Sequence, residues 1–264
     1  MKLEGAVVLV TGASEGIGAA CAHALRARGA RVSMVARSET KLRAAADPGT
    51  LVISADLMEQ SARVRAVEQT AAHFGRLDVL INNAGVGLYV PAHKAPDVET
   101  RRMFELNFFA PLHMTQLAAR FMKQGSIVVN VSSIAGLVPL PWLTLYSASK
   151  SALASLTAAM RSELRGSGIH CMAVFPGYVR TQFQNNILAG EIPPALGGLK
   201  QRWSITPEQC ADAILRGIER GASRVVTPAS GWLLIGANWL APGLVERQLE
   251  KIYGQHLTPG YGAQ

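Results

Sequence analysis

The sequence predicts an α/β fold in which one doubly wound, seven-stranded parallel sheet carries helices on both faces. Short runs of apolar and β-branched residues alternate with segments of helical periodicity along the 264 residues. Most of the short runs are almost continuously apolar, as expected for parallel strands that helices cover on both sides. Because each strand is followed by a helix, successive strands are expected to lie parallel, joined by right-handed crossovers.

The strands and helices follow each other in strict order. The predicted strands are Ala6–Thr11, Arg31–Ala36, Thr50–Ala55, Asp78–Asn82, Ser126–Ser132, Ile169–Phe175 and Ser223–Thr227. The predicted helices are Ile17–Arg28, Glu59–Phe74, Val98–Leu106, Phe108–Met122, Ser147–Arg165 and Pro207–Arg220. The last helix has the clearest start, since Thr206 can cap it and Gln209 completes a capping box. No linker, repeat or low-complexity tract interrupts the pattern, so one domain is expected to span residues 1–264.

Composition and charge narrow the functional classes. Apolar residues make up 49% of the chain and charged residues 17%, which favours a large buried core over disorder. The net charge of +8 comes from scattered Lys and Arg residues, so we expect no nucleic-acid groove but a surface that tolerates anionic ligands. Cys21, Cys171 and Cys210 form no CxxC pair, which indicates reduced structural thiols in the cytoplasm. The six histidines show no metal-ligand spacing, and no metal site is predicted.

The C-terminal part of the chain is rich in apolar residues. Val225–Val245 carries no charge, but prolines and glycines interrupt it well before the roughly 20 residues that a membrane-spanning helix needs. No transmembrane helix is therefore predicted, and the short apolar run near the N-terminus does not predict a signal peptide. Two interpretations of the apolar extension 228–264 stay open. It packs against the body or a partner subunit, or it forms a peripheral membrane or lipid-entry patch from Trp232, Leu233, Leu234, Trp239 and Leu240.

A glycine-rich loop, TGASEGIG (Thr11–Gly18), stands directly between the first predicted strand and the first helix. Gly12, Gly16 and Gly18 let the backbone turn tightly and approach a ligand without an intervening side chain. The helix that follows directs free N–H groups and its positive dipole end toward the same place, which suits a pyrophosphate. Ligands of such sheets bind outside the carboxyl ends of the strands, so the loop predicts a site for dinucleotide phosphates.

Four further motifs follow the GxxxGxG loop in order: NNAG at Asn82–Gly85, SS at Ser132–Ser133, YSASK at Tyr146–Lys150 and PGYVRT at Pro176–Thr181. This set resembles the short-chain dehydrogenase/reductase family over about residues 4 to 181, and in character its lipid- and steroid-type carbonyl reductases. The resemblance implies a Rossmann-type fold that binds NAD(P), with Asp56 at the adenine and the NNAG turn beside the adenine ribose. The implied cofactor contacts are Gly12, Ser14, Glu15, Gly16, Ile17, Gly18, Arg37, Asp56, Leu57, Asn83, Ala84, Gly85, Tyr146, Lys150, Pro176, Gly177, Val179 and Thr181.

The end of the second strand bears on the choice of dinucleotide. An acidic residue there would accept a hydrogen bond from the ribose 2′-hydroxyl and would repel a 2′-phosphate. This chain has Ala36 followed by Arg37, whose guanidinium can fork onto a phosphate, so NADP(H) is predicted over NAD(H). Glu15 acts against this preference, because similar NADP-binding enzymes often carry a basic residue at its position.

The resemblance also assigns the reacting groups. Tyr146 matches the residue that donates or accepts the substrate proton, and Lys150 lies one helical turn away on the same face. An unperturbed phenol has a pKa of about 10, so the Lys150 ammonium is expected to lower the pKa of Tyr146, and also to bind the nicotinamide ribose. Ser133 matches the serine that polarises the substrate carbonyl, and Asn107 matches the asparagine that completes a tetrad and helps to carry protons to solvent.

The substrate side of the sequence favours an apolar ligand. The segment Gly136–Leu145 joins Ser133 to Tyr146 and is rich in leucine and proline, with one tryptophan. By the resemblance, the loop 182–204 is the substrate lid, with glycines as hinges. The chain lacks the DGG ending of many family members, and its apolar ending looks more like that of reductases of steroids, sphingoid bases and other lipids.

We therefore expect an NADPH-dependent oxidoreductase, a carbonyl reductase or alcohol dehydrogenase, that acts on a lipophilic ketone, aldehyde or alcohol. A β-ketoacyl thioester reductase is one alternative, which the C-terminus disfavours. An NADP-binding regulator without turnover is another, which the complete catalytic set disfavours. Nucleotide-sugar epimerases share YxxxK but usually have a longer substrate domain. A homodimer through the helices Phe108–Met122 and Ser147–Arg165 is expected, with a tetramer left open.

Overall fold

Nearly continuous apolar strands form the central sheet of the protein. The computed structural model describes residues 1–191 and 204–253. Its strands are β1 Val7–Thr11, β2 Arg31–Ala36, β3 Leu51–Ser54, β4 Val79–Asn82, β5 Gly87–Tyr89, β6 Ile127–Val131, β7 His170–Pro176, β8 Ile187–Gly190 and β9 Arg224–Thr227. Within the described residues, seven parallel strands form one sheet in the order β3-β2-β1-β4-β6-β7-β9. The predicted seven-stranded parallel sheet is confirmed.

Helices cover both faces of this sheet. They are α1 Gly16–Ala27, α2 Glu39–Ala45, α3 Gln60–Phe74, α4 Asp97–Phe104, α5 Ala110–Ala119, α6 Thr144–Glu163, α7 Pro207–Arg220, α8 Gly231–Leu240 and α9 Pro242–Tyr253. Helices α1 and α7 pack on one face, and α3, α5 and α6 pack on the other. The predicted capping box starts α7, because Thr206 Oγ1 accepts from the Gln209 N–H and the Gln209 side chain accepts from the Thr206 N–H.

Successive strand residues point to opposite faces, and both faces are buried. In β1, Val8 and Val10 belong to the core beneath α1 and α7, whereas Val7 and Leu9 belong to the core beneath α3, α5 and α6. Full burial of one such side chain contributes roughly 2 kcal/mol relative to an exposed one. Burial on both sides is the reason why the strands are continuously apolar in sequence rather than alternating.

The segment around Asn107 differs from the prediction of two separate helices. A π-helical turn, Glu105–Phe109, joins α4 to α5 without a break, and in it the Ala110 N–H donates to the Glu105 carbonyl. Pro111 lies in the first turn of α5 and has no N–H to donate to the carbonyl of Asn107, four residues earlier. The wider π-turn accommodates this missing bond, so the helix continues past the proline.

The other differences lie in short or weakly patterned elements. Helix α2 has seven residues of mixed polarity and begins after Ser38, whose hydroxyl accepts from the Lys41 N–H at 3.3 Å. Strands β5 and β8 pair as a separate two-stranded sheet. Helix α6 begins at Thr144, earlier than predicted, and α8 and α9 occupy the apolar extension, for which the sequence predicts no helix.

Two of the predicted features lie partly outside the residues that the structure describes. Residues 192–203 of the predicted substrate loop and residues 254–264 of the apolar extension lie outside the described residues. In the part of the chain that the structure describes, no helix combines the length and apolar character needed to cross a membrane.

Candidate active site

The loops after β1 and β4 border one crevice, because the strand order reverses between these two strands. Thr11 Oγ1 accepts from the backbone N–H groups of Asn83 and Ala84 at 3.0 and 3.1 Å. The Asn83 side-chain amide in turn donates to the carbonyls of Thr11 and Gly12 at 3.0 and 3.2 Å. These bonds hold the glycine loop and the NNAG turn together as one wall of the crevice.

The glycine loop leaves no room for side chains at its turning points. Gly12 and Gly16 have φ angles of 63° and 59°, which favour glycine. A Cβ on Gly18 would lie 2.3 Å from the Gly12 carbonyl oxygen, and a Cβ on Gly16 would lie 3.1 Å from Thr181 Cγ2. Helix α1 begins at Gly16, and the side chain of its N-cap residue, Glu15, does not cap it. The N-terminus of α1 is therefore available to an anion, which fits the pyrophosphate of a dinucleotide.

The other residues predicted to contact the cofactor follow the ends of β2, β3, β4 and β7 at the same edge of the sheet. Arg37 is exposed directly after β2. Asp56 follows β3, and its Oδ1 accepts from the Met58 N–H at 3.0 Å. Thr181 follows β7, and its Oγ1 accepts from the Phe183 N–H at 3.2 Å. The same edge holds Ser14, Ile17, Leu57, Gly85, Pro176, Gly177 and Val179. Their contacts with a dinucleotide stay predictions.

Tyr146 and Lys150 lie one turn apart within α6. Lys150 Nζ is 5.8 Å from the centroid of the Tyr146 ring and donates to the Val131 carbonyl at 2.9 Å. Ser132 Oγ donates to the Lys150 carbonyl at 2.7 Å. Both hydrogen bonds tie this part of α6 to the carboxyl end of β6, so the pair has a fixed position above the sheet edge.

Ser133 lies two residues beyond the end of β6 and forms a hydrogen bond with the Tyr146 hydroxyl. Its Oγ accepts from the Ala135 N–H at 3.1 Å and donates to the Pro176 carbonyl at 3.4 Å. Burial raises the pKa of Tyr146 to about 12, and a hydrogen bond with Ser133 acts in the opposite direction. Burial also lowers the pKa of Lys150 to about 8. The expectation of a lowered Tyr146 pKa is therefore wrong for this structure, because the loss of hydration around the phenol is the larger effect.

Asn107 is fully buried in the π-turn, and hydrogen bonds fix its side chain at both ends. Its Oδ1 accepts from the Val86 N–H at 2.9 Å, and its Nδ2 donates to the Val86 carbonyl at 3.0 Å and to Ser149 Oγ at 3.1 Å. A Cβ on Gly85 would lie 3.1 Å from Asn107 Oδ1 and 3.3 Å from Lys150 Nζ. The NNAG turn therefore fits between the π-turn and α6, and the predicted catalytic residues Asn107, Ser133, Tyr146 and Lys150 lie together.

Arg63 supports this site and is missed by the sequence analysis. Its side chain is 1% exposed and forms an ion pair with Glu105, the first residue of the π-turn. Its Nε donates to the Leu57 carbonyl at 2.6 Å, and its Nη2 donates to the Met58 carbonyl at 3.1 Å. The sequence signal that could have revealed it is an arginine on the buried, alanine-rich face of a predicted helix.

Similarity to known proteins shows the family of the chain. Residues 6–192 match the family model described as short chain dehydrogenase. The chain belongs to the short-chain dehydrogenase family. One short-chain dehydrogenase relative, 11-beta-hydroxysteroid dehydrogenase A of Arachis hypogaea, is 32% identical over 273 residues, which cover 96% of this chain and 76% of the relative.

Solved structures of short-chain dehydrogenases share the fold. One from Burkholderia phymatum, in complex with NAD, has a TM-score of 0.84 at 22% identity and covers 92% of this chain and 96% of its own. One from Burkholderia cenocepacia, in complex with NADP, has a TM-score of 0.78 at 28% identity and covers 94% of this chain and 99% of its own. The predicted family and Rossmann-type fold are confirmed, and the chain is an NAD(P)-dependent oxidoreductase acting on CH–OH groups.

Proposed function

We propose that this short-chain dehydrogenase uses NADP(H) to interconvert a lipophilic ketone or aldehyde and the corresponding alcohol, with Tyr146 as the acid and base. The observation that carries the proposal is an apolar cluster around Tyr146. Tyr89 and Leu143 are buried at its centre. The partly buried residues packed against them are Leu140, Trp142, Tyr146, Tyr178, Ile187, Leu249 and Ile252.

Helix α9 supplies part of this cluster through its amphipathic pattern. Val245, Leu249 and Ile252 recur at helical spacing and are partly buried, whereas Glu246 and Glu250 are exposed. Leu249 and Ile252 bring the C-terminal extension into the apolar cluster that contains Tyr146. Burial of an apolar substrate there is favoured by about 25 cal/mol per Å². A sugar would instead lose hydrogen bonds with water that apolar walls cannot replace.

Each polar residue of the site has its own role in the proposed reaction. A bound nicotinamide supplies or accepts the hydride. In the reductive direction the Tyr146 hydroxyl donates a proton to the carbonyl oxygen, and the Ser133 hydroxyl donates a hydrogen bond to the same oxygen. The Lys150 ammonium favours the phenolate that this transfer leaves. Asn107, bonded to Val86 and Ser149, helps to pass the replacement proton from solvent.

A graded set of carbonyl compounds tests the proposed function. NADPH oxidation is measured with steroids, long-chain ketones, aromatic ketones, short polar ketones and acyl thioesters. We expect kcat/KM to rise with the apolar area of the ketone and to be highest near steroid size, a class also favoured by the likeness to 11-beta-hydroxysteroid dehydrogenase A. Highest turnover of acyl thioesters or short polar ketones would contradict the proposal.

Replacement of Arg37 by alanine tests the preference for NADP(H). The neutral Ala36 and the exposed Arg37 stand at the end of β2, where the adenine ribose of a dinucleotide would lie. A hydrogen bond from a charged donor contributes about 1.5–3 kcal/mol, so we expect Arg37→Ala to weaken NADPH binding about tenfold or more. NADH binding should change less than about twofold. Fluorescence titrations with both dinucleotides measure this, and equal weakening of both would refute the assignment.

The outer face of α8 is proposed to contact a lipid surface. Ile235 turns inward and packs beside Ile134 and Leu137. Trp239 and Leu240 point outward and are 82% and 77% exposed. Tryptophan on an uncharged apolar face suits the interface of a bilayer, and the net charge of +8 suits anionic lipids. Contact with a membrane would also bring a lipophilic substrate close to α9.

Sedimentation with anionic phospholipid vesicles tests this contact. Replacement of both Trp239 and Leu240 by serine should lower the bound fraction severalfold, because the apolar area that enters the interface is lost. Val98→Ser is the control, since Val98 is an exposed apolar residue on a different helix, α4. Unaltered protein that stays in solution with the vesicles would contradict the proposal.

We also propose a cytoplasmic homodimer formed through α5 and α6. Phe109, directly before α5, is a large apolar side chain that is exposed in the single chain. The three cysteines are free and buried, which supports a reducing compartment. Light scattering distinguishes the dimer from a monomer or a tetramer by mass.

A further inference from the structure

Glu15, the acidic residue of the glycine loop, lies between two partners from distant parts of the chain. Its Oε2 is 3.0 Å from the ammonium of Lys41 in the first turn of α2. Its Oε1 accepts from Asn186 Nδ2 at 2.7 Å, in the segment that follows β7. A hydrogen bond from Lys41 is the largest cause of a lowered pKa of Glu15, and Asn186 adds to it, so the carboxylate is ionised at neutral pH.

These contacts place Lys41 at the corner of the crevice where β2 ends. The Ala13 N–H donates to the Val35 carbonyl at 3.2 Å, so the glycine loop lies against the end of β2. Arg37 follows that strand end and Lys41 comes four residues later, at the start of α2. The ammonium therefore reaches the glycine loop from the side on which Arg37 lies.

Two ion pairs and one further cation, Arg37, lie at this corner. Glu39, the other acid at the start of α2, pairs with Arg43 one turn away at 2.6 Å. Glu15 neutralises Lys41. Within the described residues Arg37 forms no ion pair. A phosphate dianion next to Arg37 would therefore contact its unpaired guanidinium and, in addition, the Lys41 ammonium, which also pairs with Glu15.

We propose that Lys41 is a second cation of the 2′-phosphate site of NADP(H), and that Glu15 positions it. The inference rests on the proposed preference for NADP(H). The ammonium of a lysine stands on a flexible four-carbon stem, so fixing it on a ligand costs rotamer entropy. The carboxylate of Glu15, held from its other side by Asn186, fixes the ammonium at the loop before the ligand arrives. Lys41 thus supplies from α2 the positive charge that the glycine loop itself lacks.

Lys41 could influence NADP⁺ binding in a second way, which an experiment must distinguish from direct contact with the phosphate. It can act only by neutralising Glu15, which would otherwise repel a phosphate. Both explanations predict weaker NADP⁺ binding for Lys41→Gln alone. They differ once Glu15 is neutral, because a lysine that contacts the phosphate still matters in the Glu15→Gln background, whereas a lysine that only neutralises Glu15 does not.

Calorimetric titration of NADP⁺ and NAD⁺ into the full chain makes this separation. We expect Lys41→Gln to weaken NADP⁺ binding about tenfold and NAD⁺ binding less than about twofold. The double variant Glu15→Gln/Lys41→Gln should bind NADP⁺ at least about fivefold more weakly than Glu15→Gln alone. Arg65→Gln, which removes an equal charge from an exposed position on α3, is the control and should leave both affinities unchanged. Thermal unfolding of each variant confirms that it is folded.

Four results of these titrations would contradict the inference. Equal NADP⁺ affinities of the double variant and Glu15→Gln would overturn the inference, and so would equal weakening of both dinucleotides by Lys41→Gln. Wild-type protein that binds NADP⁺ and NAD⁺ equally would contradict the NADP(H) preference and the inference with it. A wild-type preference that Arg37→Ala abolishes and Lys41→Gln leaves intact would contradict only the role of Lys41.

Discussion

Tyr146→Phe is expected to lower kcat about a thousandfold while cofactor affinity stays within about twofold. The replacement removes only the hydroxyl. The ring keeps its place beside Phe183, at a centroid distance of 5.7 Å, and within the apolar cluster around Leu143. Without the hydroxyl the proton has to come from water, which this cluster keeps away from the carbonyl.

Stopped-flow oxidation of NADPH with an active ketone gives the rate of the chemical step. Fluorescence titration of the cofactor and thermal unfolding show whether the variant is otherwise intact. Retention of more than about a tenth of the original rate would refute Tyr146 as the proton donor, because general acids contribute about a hundredfold or more. Loss of cofactor binding would mean that the hydroxyl has a binding role instead.

The same helix sets the expected dependence of the reductive reaction on pH. Burial raises the pKa of Tyr146 to about 12, so the hydroxyl keeps its proton throughout the neutral and mildly alkaline range. Burial lowers the pKa of Lys150 to about 8, so its charge is present below that pH and is lost above it. We expect kcat for reduction to fall as the pH rises through about 8, since the phenolate then forms without a nearby cation. A profile that stays flat to about pH 10 would contradict this role of Lys150.

Arg63→Met is expected to lower the free energy of unfolding by about 3–5 kcal/mol. Methionine replaces the apolar stem of Arg63 but leaves the Leu57 and Met58 carbonyls without their donor and Glu105 without its cation. Glu105 is the first residue of the π-turn that contains Asn107. We therefore also expect a lower kcat for the folded fraction of the Arg63→Met protein. Urea unfolding followed by circular dichroism measures the first effect.

Arg65→Met provides a control on the same helix. Arg65 is exposed two residues further along α3 and donates only a long hydrogen bond, 3.4 Å, to Ser61 Oγ. The chemical change is identical, yet the expected cost is below about 0.5 kcal/mol, as for other surface positions. Similar losses in the two variants would show that burial and pairing of Arg63 are not the cause.

The sheet and the crevice follow from local sequence. Strands such as Val7–Thr11 can be predicted because both of their faces are buried, so almost every residue is apolar. The loop can be predicted because its turns require positive φ at Gly12 and Gly16, which marks the sequence with glycine. The YxxxK pair can be predicted because helical periodicity alone puts both residues on one face. The single-domain organisation and the roles of the site residues stay predictions.

Three features of the site are not predicted by the sequence, each for its own physical reason. Lys41 meets Glu15 only because the glycine loop packs against the end of β2. The π-turn at Asn107 arises from one missing N–H at Pro111, and the sequence pattern there is equally compatible with a break between helices. The raised pKa of Tyr146 results from the side chains that bury it, and spacing along α6 carries no information about burial.

The buried thiols make the protein suitable for site-directed spectroscopic labelling. Cys21, Cys171 and Cys210 are all free and buried, and burial raises the pKa of each thiol. Maleimide dyes react with accessible thiolate, so the native cysteines should stay unmodified in the folded protein. A cysteine introduced at an exposed position such as Arg65 can then carry a fluorophore without prior removal of the native ones.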